Sequence, residues 1–355
     1  MTGAGFAQKQ SRRSALLRRL RNTSKRSLTS AVDGLFAIPP SAFVLENGAR
    51  LVCRRFPGSR LSAILMWQVS LALVRNGDTA VRVATLPGGG RLALTLDEYS
   101  WRKLYFQLDP SMHRWLYERE TTLFFRRWLR SGDRVIDVGA NVGYFTMLAA
   151  QMVGDEGAVH AFEPNPRVVS LLHKSVALNG FRRRVRVTDK AVSVQTGSLS
   201  FFSPTDPGNT YEATVVKRDD IPLCSLEVAS VSLDDYAVSN AVERVRLLKI
   251  DVEGAEVEVL YGAQQLLRKS RPEAVICEFA PRSDAEEEWC ALIAVFAAFD
   301  YEPYRLDESG KPIGPNRGVP DWQWGNICFL PTGEMVGEPL DSTSQLLRQG
   351  DALKL

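Results

Sequence analysis

The run Val135-Ile-Asp-Val-Gly-Ala-Asn-Val-Gly-Tyr-Phe-Thr146 constrains the fold of this chain more than any other stretch. Val135, Ile136 and Val138 form a short apolar run of the kind found in a parallel strand covered on both faces. Gly139 and Gly143 remove side chains where the chain bends tightly and a ligand can approach the backbone. Tyr144 to Gln151 reads as a helix whose N-terminus faces the crevice beyond the strand. In open α/β sheets, nucleotides bind in that crevice, outside the carboxyl ends of the strands.

The spacing argues against a dinucleotide. The Gly-x-Gly-x-x-Gly fingerprint needs a second glycine where this chain has Asn141, so close approach to a pyrophosphate is disfavoured. An acidic residue, Asp137, ends the strand, and a carboxylate there suits a cationic amino-acid ligand. The next strand reads over Val159 to Glu163 and is closed by Pro164 and Pro166. Glu163 lies near the spacing at which a carboxylate accepts from both ribose hydroxyls.

Charge is placed unevenly. Residues 1–30 hold eight of the 44 basic residues and none of the 41 acidic ones, so the rest of the chain is net acidic. A net acidic body argues against a nucleic-acid partner. The basic segment reads as a tail with a short leucine-bearing face, open to contact with an anionic membrane surface. Its composition also resembles a transit peptide. No apolar stretch is long enough to span a bilayer, and Leu61 to Val74 reads as a core element. The five cysteines form no metal-type pair, which fits a reducing, cytoplasmic setting with Cys277 and Cys328 buried as small hydrophobes.

Residues 31–116 read as an N-terminal extension, with a β-hairpin around Pro87-Gly-Gly-Gly90. Thr121 to Leu129 reads as a helix before the Ser131-Gly132-Asp133 turn. After the Glu163 strand, elements alternate as in a doubly wound sheet. A helix spans Arg167 to Leu178 and stops at Asn179-Gly180, and a strand spans Arg184 to Thr188. Leu199 to Phe202 reads as an added strand and residues 203–225 as a long loop. Residues 334–355 read as a tail.

The other chemistry-bearing stretch is Val245-Arg-Leu-Leu-Lys-Ile-Asp251-Val-Glu253-Gly254. It reads as a strand ending at Ile250, with a helix starting at Gly254. Asp251 and Glu253 then stand over the crevice, and Glu278 ends the next strand. Three carboxylates around one crevice require a cation or donors among them. That cation is a sulfonium, Lys249, an arginine or a metal.

In order, these stretches resemble the FkbM-type family of class I S-adenosylmethionine (SAM) methyltransferases. The resemblance rests on Tyr117-Glu118, Ser131-Gly132-Asp133, Ile136 to Thr146, Phe162-Glu163-Pro164, Val231 to Tyr236, Lys249 to Gly254, and Glu278. It implies a Rossmann-like α/β domain over residues 117–333. The sheet would have seven mostly parallel strands, one of them antiparallel, ending in a hairpin of Glu302 to Leu306 with Gly325 to Leu330. It implies SAM as cofactor and a hydroxyl on a sugar, polyketide or other small molecule as acceptor. The implied cofactor-binding residues are Glu118, Asp137, Gly139, Asn141, Gly143, Tyr144, Phe145, Glu163, Pro164, Asp189 and Asp251. Among them, Gly139, Asn141 and Gly143 hold the methionine end, Glu163 the ribose, and Asp189 or its neighbour the adenine.

A hydroxyl needs a base to take its proton, and Asp251 or Glu253 is the expected base or orienting group. No metal ligand is assigned, although Asp251 with Glu278 leaves a metal-assisted variant open. A nicotinamide-dependent oxidoreductase shares the strand–glycine–helix and the ribose carboxylate, but Asn141 stands where its second glycine is needed. A base-directed nucleic-acid methyltransferase would carry Pro-Pro-aromatic after Asp251, where this chain has Val-Glu-Gly. A SAM-fold binding module without activity is the remaining alternative.

Overall fold

A computed structural model describes residues 51, 55, 68–69, 79–108, 116–205, 213–216, 223–281, 284–319 and 325–332. The basic segment 1–30 with its membrane reading, most of the element over 61–74, His113 and the tail after 333 lie outside them. The chain divides into two compact units, one of Met1–Thr79 with Pro110–His113, the other of Ala80–Asp109 with Arg114–Leu355. The second unit carries every element below.

It opens with an antiparallel hairpin of β1 (Arg82–Thr85) and β2 (Arg91–Leu94), followed by α1 (Tyr99–Gln107) and α2 (Arg119–Trp128). Then come β3 (Arg134–Val138), α3 (Tyr144–Val153), β4 (Ala158–Phe162), α4 (Pro166–Leu178) and β5 (Val185–Thr188). Helix α4 starts where Asn165 accepts the Arg167 N–H and Pro166 supplies a preset φ. Three strands make a separate small sheet: β6 (Ala191–Val192), β7 (Gly197–Pro204) and β8 (Leu223–Val231). The chain continues through α5 (Leu233–Ser239), β9 (Leu247–Ile250), α6 (Glu256–Tyr261), β10 (Ala274–Phe279) and α7 (Ala285–Ala297). It closes with β11 (Tyr301–Leu306), β12 (Pro312–Ile313) and β13 (Gly325–Pro331).

The main sheet has the order β12-β11-β13-β10-β9-β3-β4-β5. Strands β10, β9, β3, β4 and β5 are mutually parallel, and β13 runs antiparallel between β10 and β11. This is the expected seven-stranded sheet, widened by the two-residue β12 antiparallel to β11. Val135, Ile136, Leu248, Ile250, Val275 and Cys277 are buried, which is why the central strands read as continuous apolar runs. After β3 the chain winds outward to β5, then crosses back to β9 on the other side of β3. A crevice opens at that reversal, beyond the carboxyl ends of β3 and β9.

Two expected boundaries move. Strands β7 and β8 both extend into residues 203–225, leaving 205 and 213–216 as the described residues between them. Helix α6 begins at Glu256 and not at Gly254, because Glu253 (φ 60°) and Gly254 (φ 99°) take left-handed backbone angles that a helix cannot include. Among the described residues no helix is long and apolar enough to cross a membrane.

Candidate functional site

The crevice is a cavity of about 1460 Å³, lined by the ends of β3, β4, β9, β10 and β13, by α1, and by residues 213–215. Seven acidic side chains and three lysines line it.

The turn after β3 is fixed by close packing. A Cβ on Gly139, at φ 78°, would stand 1.7 Å from the Asp251 carbonyl oxygen, and one on Gly143 would stand 2.5 Å from the Leu172 side chain. The two glycines thus let the β3 turn close onto the β9 turn and onto α4. Asp137, 1% exposed on β3, accepts from the Thr146 hydroxyl at 2.5 Å. Its other oxygen, Oδ1, is buried with no hydrogen-bond partner, and burial raises its carboxyl above the usual range.

Asn141 holds a left-handed conformation, φ 49°. Its N–H donates to Glu163 Oε2 at 3.0 Å, and the Asn165 N–H donates to Glu163 Oε1 at 2.9 Å. Burial pushes the Glu163 carboxyl up to about 7 against the pull of these two N–H groups. Each of its oxygens keeps a further lone pair for a ligand hydroxyl. Tyr144 and Phe145 open α3 at the cavity wall, with the Tyr144 hydroxyl 3.1 Å from that of Thr122.

The β9 side of the cavity carries further charge. Lys249, 1% exposed, lies beside Asp137 on the neighbouring strand and donates to Asp251 Oδ2 at 2.6 Å. Burial alone would lower its ammonium's pKa, but Asp251, Asp137 and Glu118 outweigh that and raise it. One carboxylate oxygen each of Asp251, Glu253 and Glu278 lie within 4.8 Å of one another. Burial, then the charges of Asp251, Glu253 and Glu256, raise the Glu278 carboxyl far above its usual range. Glu278 Oε2 is buried without a partner. Glu118 takes φ 39° at the start of α2, and burial brings its carboxyl up to about 7.

The cavity gathers Glu118, Asp137, Gly139, Asn141, Tyr144, Phe145, Glu163, Pro164, Asp251 and Glu253, with Gly143 in the turn behind it. It does not gather Asp189. That residue borders a separate recess with Lys174 and Arg182, and its neighbour Lys190 lines the main cavity instead. Successive residues at a strand end point to opposite sides, so a one-residue offset decides which faces the ligand. Neither His160 nor His173 lines the cavity. His160 pairs with the Tyr236 hydroxyl at 2.9 Å, and burial lowers its pKa to about 4.

Two residues in the site were not anticipated. Asn326 on β13 stands opposite Glu278 and donates to Glu118 Oε2 at 2.7 Å. It is the one polar side chain in the run Asn326-Ile-Cys-Phe-Leu330, and that was its available signal. Trp101 on α1 donates its indole N–H to Asn141 Oδ1 at 2.8 Å, and nothing local in the sequence marks it.

The sheet order, the reversed β13 and a carboxylate-rich crevice at the switch point define a class I methyltransferase fold. Residues 137–303 match the family model for the methyltransferase FkbM domain. Over that segment the chain is similar to FkbM-type methyltransferase domains. It is 34% identical over 164 residues to 31-O-demethyl-FK506 methyltransferase FkbM of Streptomyces tacrolimicus, covering 38% of this chain and 61% of that protein. It is 31% identical over 163 residues to methyltransferase sdnD of Sordaria araneosa, covering 39% and 62%. With 2-O-methyltransferase NoeI of Sinorhizobium fredii it shares 24% over 149 residues, covering 39% and 60%. The chain thus spans about three fifths of the length of the curated relatives it matches. A crystal structure of methyltransferase FkbM from Methylobacillus flagellatus aligns at TM-score 0.40 and 16% identity, over 81% of this chain and 59% of that one, a likeness too slight to bear on the site.

Proposed function

We propose that this chain transfers a methyl group from SAM to a hydroxyl of a small-molecule or glycan acceptor. One observation carries the reading: the cavity holds more acidic groups than cations, and buried oxygens of Asp137 and Glu278 have no donor. SAM is a cation with an ammonium and two ribose hydroxyls, and so supplies what these residues lack. The cavity exceeds the usual range for one ligand of that size, leaving room for an acceptor. The hydroxyl acceptor follows the names of relatives such as the 2-O-methyltransferase and the 31-O-demethyl-FK506 methyltransferase.

When bound, SAM supplies an electrophilic methyl on its sulfonium. The residues do the rest. Glu163 accepts the ribose hydroxyls through its free lone pairs. Asp137 takes the ammonium, while the turn from Gly139 to Gly143 brings backbone close to the methionine end. Lys190, which lines the cavity where Asp189 does not, would meet the adenine. Asp251 is the proton acceptor for the acceptor hydroxyl, and Glu253 beside it orients that hydroxyl. Lys249 holds Asp251 in place through the 2.6 Å pair.

The test begins with titration of the purified, ligand-stripped protein with SAM, S-adenosylhomocysteine, NAD and NADP. Binding of the two adenosyl ligands alone is expected, and binding of a nicotinamide cofactor would overturn the reading. A panel of hydroxylated acceptors with labelled SAM then tests the chemistry. Asp251→Asn is expected to keep SAM affinity and lose about 10²- to 10⁴-fold in turnover. Full turnover in that variant would remove Asp251 as the base.

A further inference from the structure

We propose that Trp101, which lies outside the 137–303 family segment, is a positioning residue for the cofactor's ribose carboxylate and acts through Asn141. This rests on the methyltransferase reading and adds a residue to its site. The observation is a chain of hydrogen bonds. The Trp101 indole N–H donates to Asn141 Oδ1 at 2.8 Å, and the same oxygen accepts the Val142 N–H at 2.7 Å. Asn141 is left-handed, a conformation asparagine tolerates better than most residues with a side chain, and the two donors on its Oδ1 hold it there. Held so, its own N–H points at Glu163 Oε2, 3.0 Å away. Releasing Asn141 therefore frees one of the two N–H groups that aim the Glu163 carboxylate.

Trp101 is itself anchored, as a positioning residue must be. It is 2% exposed. Its backbone N–H donates to Glu98 Oε2 at 3.2 Å, and Glu98 also accepts from the Ser100 N–H and hydroxyl at the first turn of α1. The Arg167 guanidinium lies over the indole at 5.2 Å, and Arg167 pairs with Asp97 just before α1. Helix α1 is thus fastened on one side to the start of α4 and on the other to the glycine turn. It belongs to the cofactor site, although it precedes the segment that the family pattern covers.

The experiment uses the full chain with two single variants and their double. Trp101→Phe keeps a ring under Arg167 and removes the N–H. Asn141→Gly keeps access to the left-handed angle and removes the oxygen. S-adenosylhomocysteine affinity is read by titration, and ligand-free melting is read alongside. Each single variant is expected to weaken binding about fivefold, the loss of one well-formed hydrogen bond. The double is expected to be no weaker than either single, because both remove the same link. A purely structural tryptophan would lower melting and leave affinity alone, and that result overturns the proposal. Additive losses in the double overturn it too. Should Trp101→Phe fail to fold, Asn141→Gly decides, and wild-type affinity in it overturns the link. A wild-type chain that binds no adenosyl ligand refutes the methyltransferase reading itself.

Discussion

Glu163 offers the sharpest test, because its burial has a pH signature. It sits at the end of β4, 7% exposed, and its carboxyl is pushed from 4.5 up to about 7. Folding therefore makes this group harder to ionise, at a cost of about 3 kcal/mol once both folded and unfolded forms are charged. The sign follows. Between pH 4.5 and about 7 the ligand-free folded protein keeps a proton that the unfolded chain has released. The contribution of this group to stability is greatest below that window and falls as pH rises through it. Glu163→Gln cannot ionise, so the loss of stability from pH 5 to pH 8 should be smaller in the variant by about 2.5 kcal/mol. The amide's mismatch with the Asn141 or Asn165 N–H is the same at every pH and cancels. Chemical denaturation of both ligand-free proteins at four pH values between 5 and 8 measures the difference. Ribose hydroxyls donate to the ionised form, so SAM affinity should rise with pH up to about 7 in the wild type and stay flat in the variant. Equal stability slopes in the two proteins would refute the argument from burial. A pH-independent affinity in the wild type would refute the ribose assignment.

Two further outcomes are expected. Gly139→Ala would set a Cβ 1.7 Å from the Asp251 carbonyl at a positive φ, so thermal denaturation should show a loss of about 3 kcal/mol or more, and a variant melting like the wild type would refute the close approach. Asp189→Ala should keep S-adenosylhomocysteine affinity within about twofold, as its side chain borders the other recess, and a tenfold loss in titration would restore its adenine role.

What the sequence made legible were the stretches whose physics is local. The run from Val135 to Gly143 announces a doubly buried strand and a tight turn by composition alone, and β3 and α3 follow. Asp251, Glu253 and Glu278 were placed at strand ends by counting from apolar runs, and the sheet brings their carboxylates together. Asp189 lies outside the cavity and its neighbour Lys190 inside it, because the strand end was legible but its facing was not. The loop assigned to 203–225 concealed parts of β7 and β8 because most of β8 is exposed, so no apolar alternation betrays it. Trp101 and Asn326 reach the site across 40 and 208 residues of sequence from their partners, Asn141 and Glu118, separations that no local pattern encodes.

The Asp251 carbonyl seated beneath Gly139 has a consequence for how such an enzyme changes. The turn proposed to cradle the cofactor and the turn that carries the proposed base share one atomic contact, backed by the Asp251 N–H bonded to the Val138 carbonyl at 3.0 Å. They are one rigid fitting. On the proposed function, a mutation that reshapes either turn for a new acceptor also disturbs the other, so change in that wall is costly. Novelty is expected instead from other parts of the lining, such as Tyr99 and Lys103 on α1 or Ala213 to Val215. A library aimed at new acceptors belongs there.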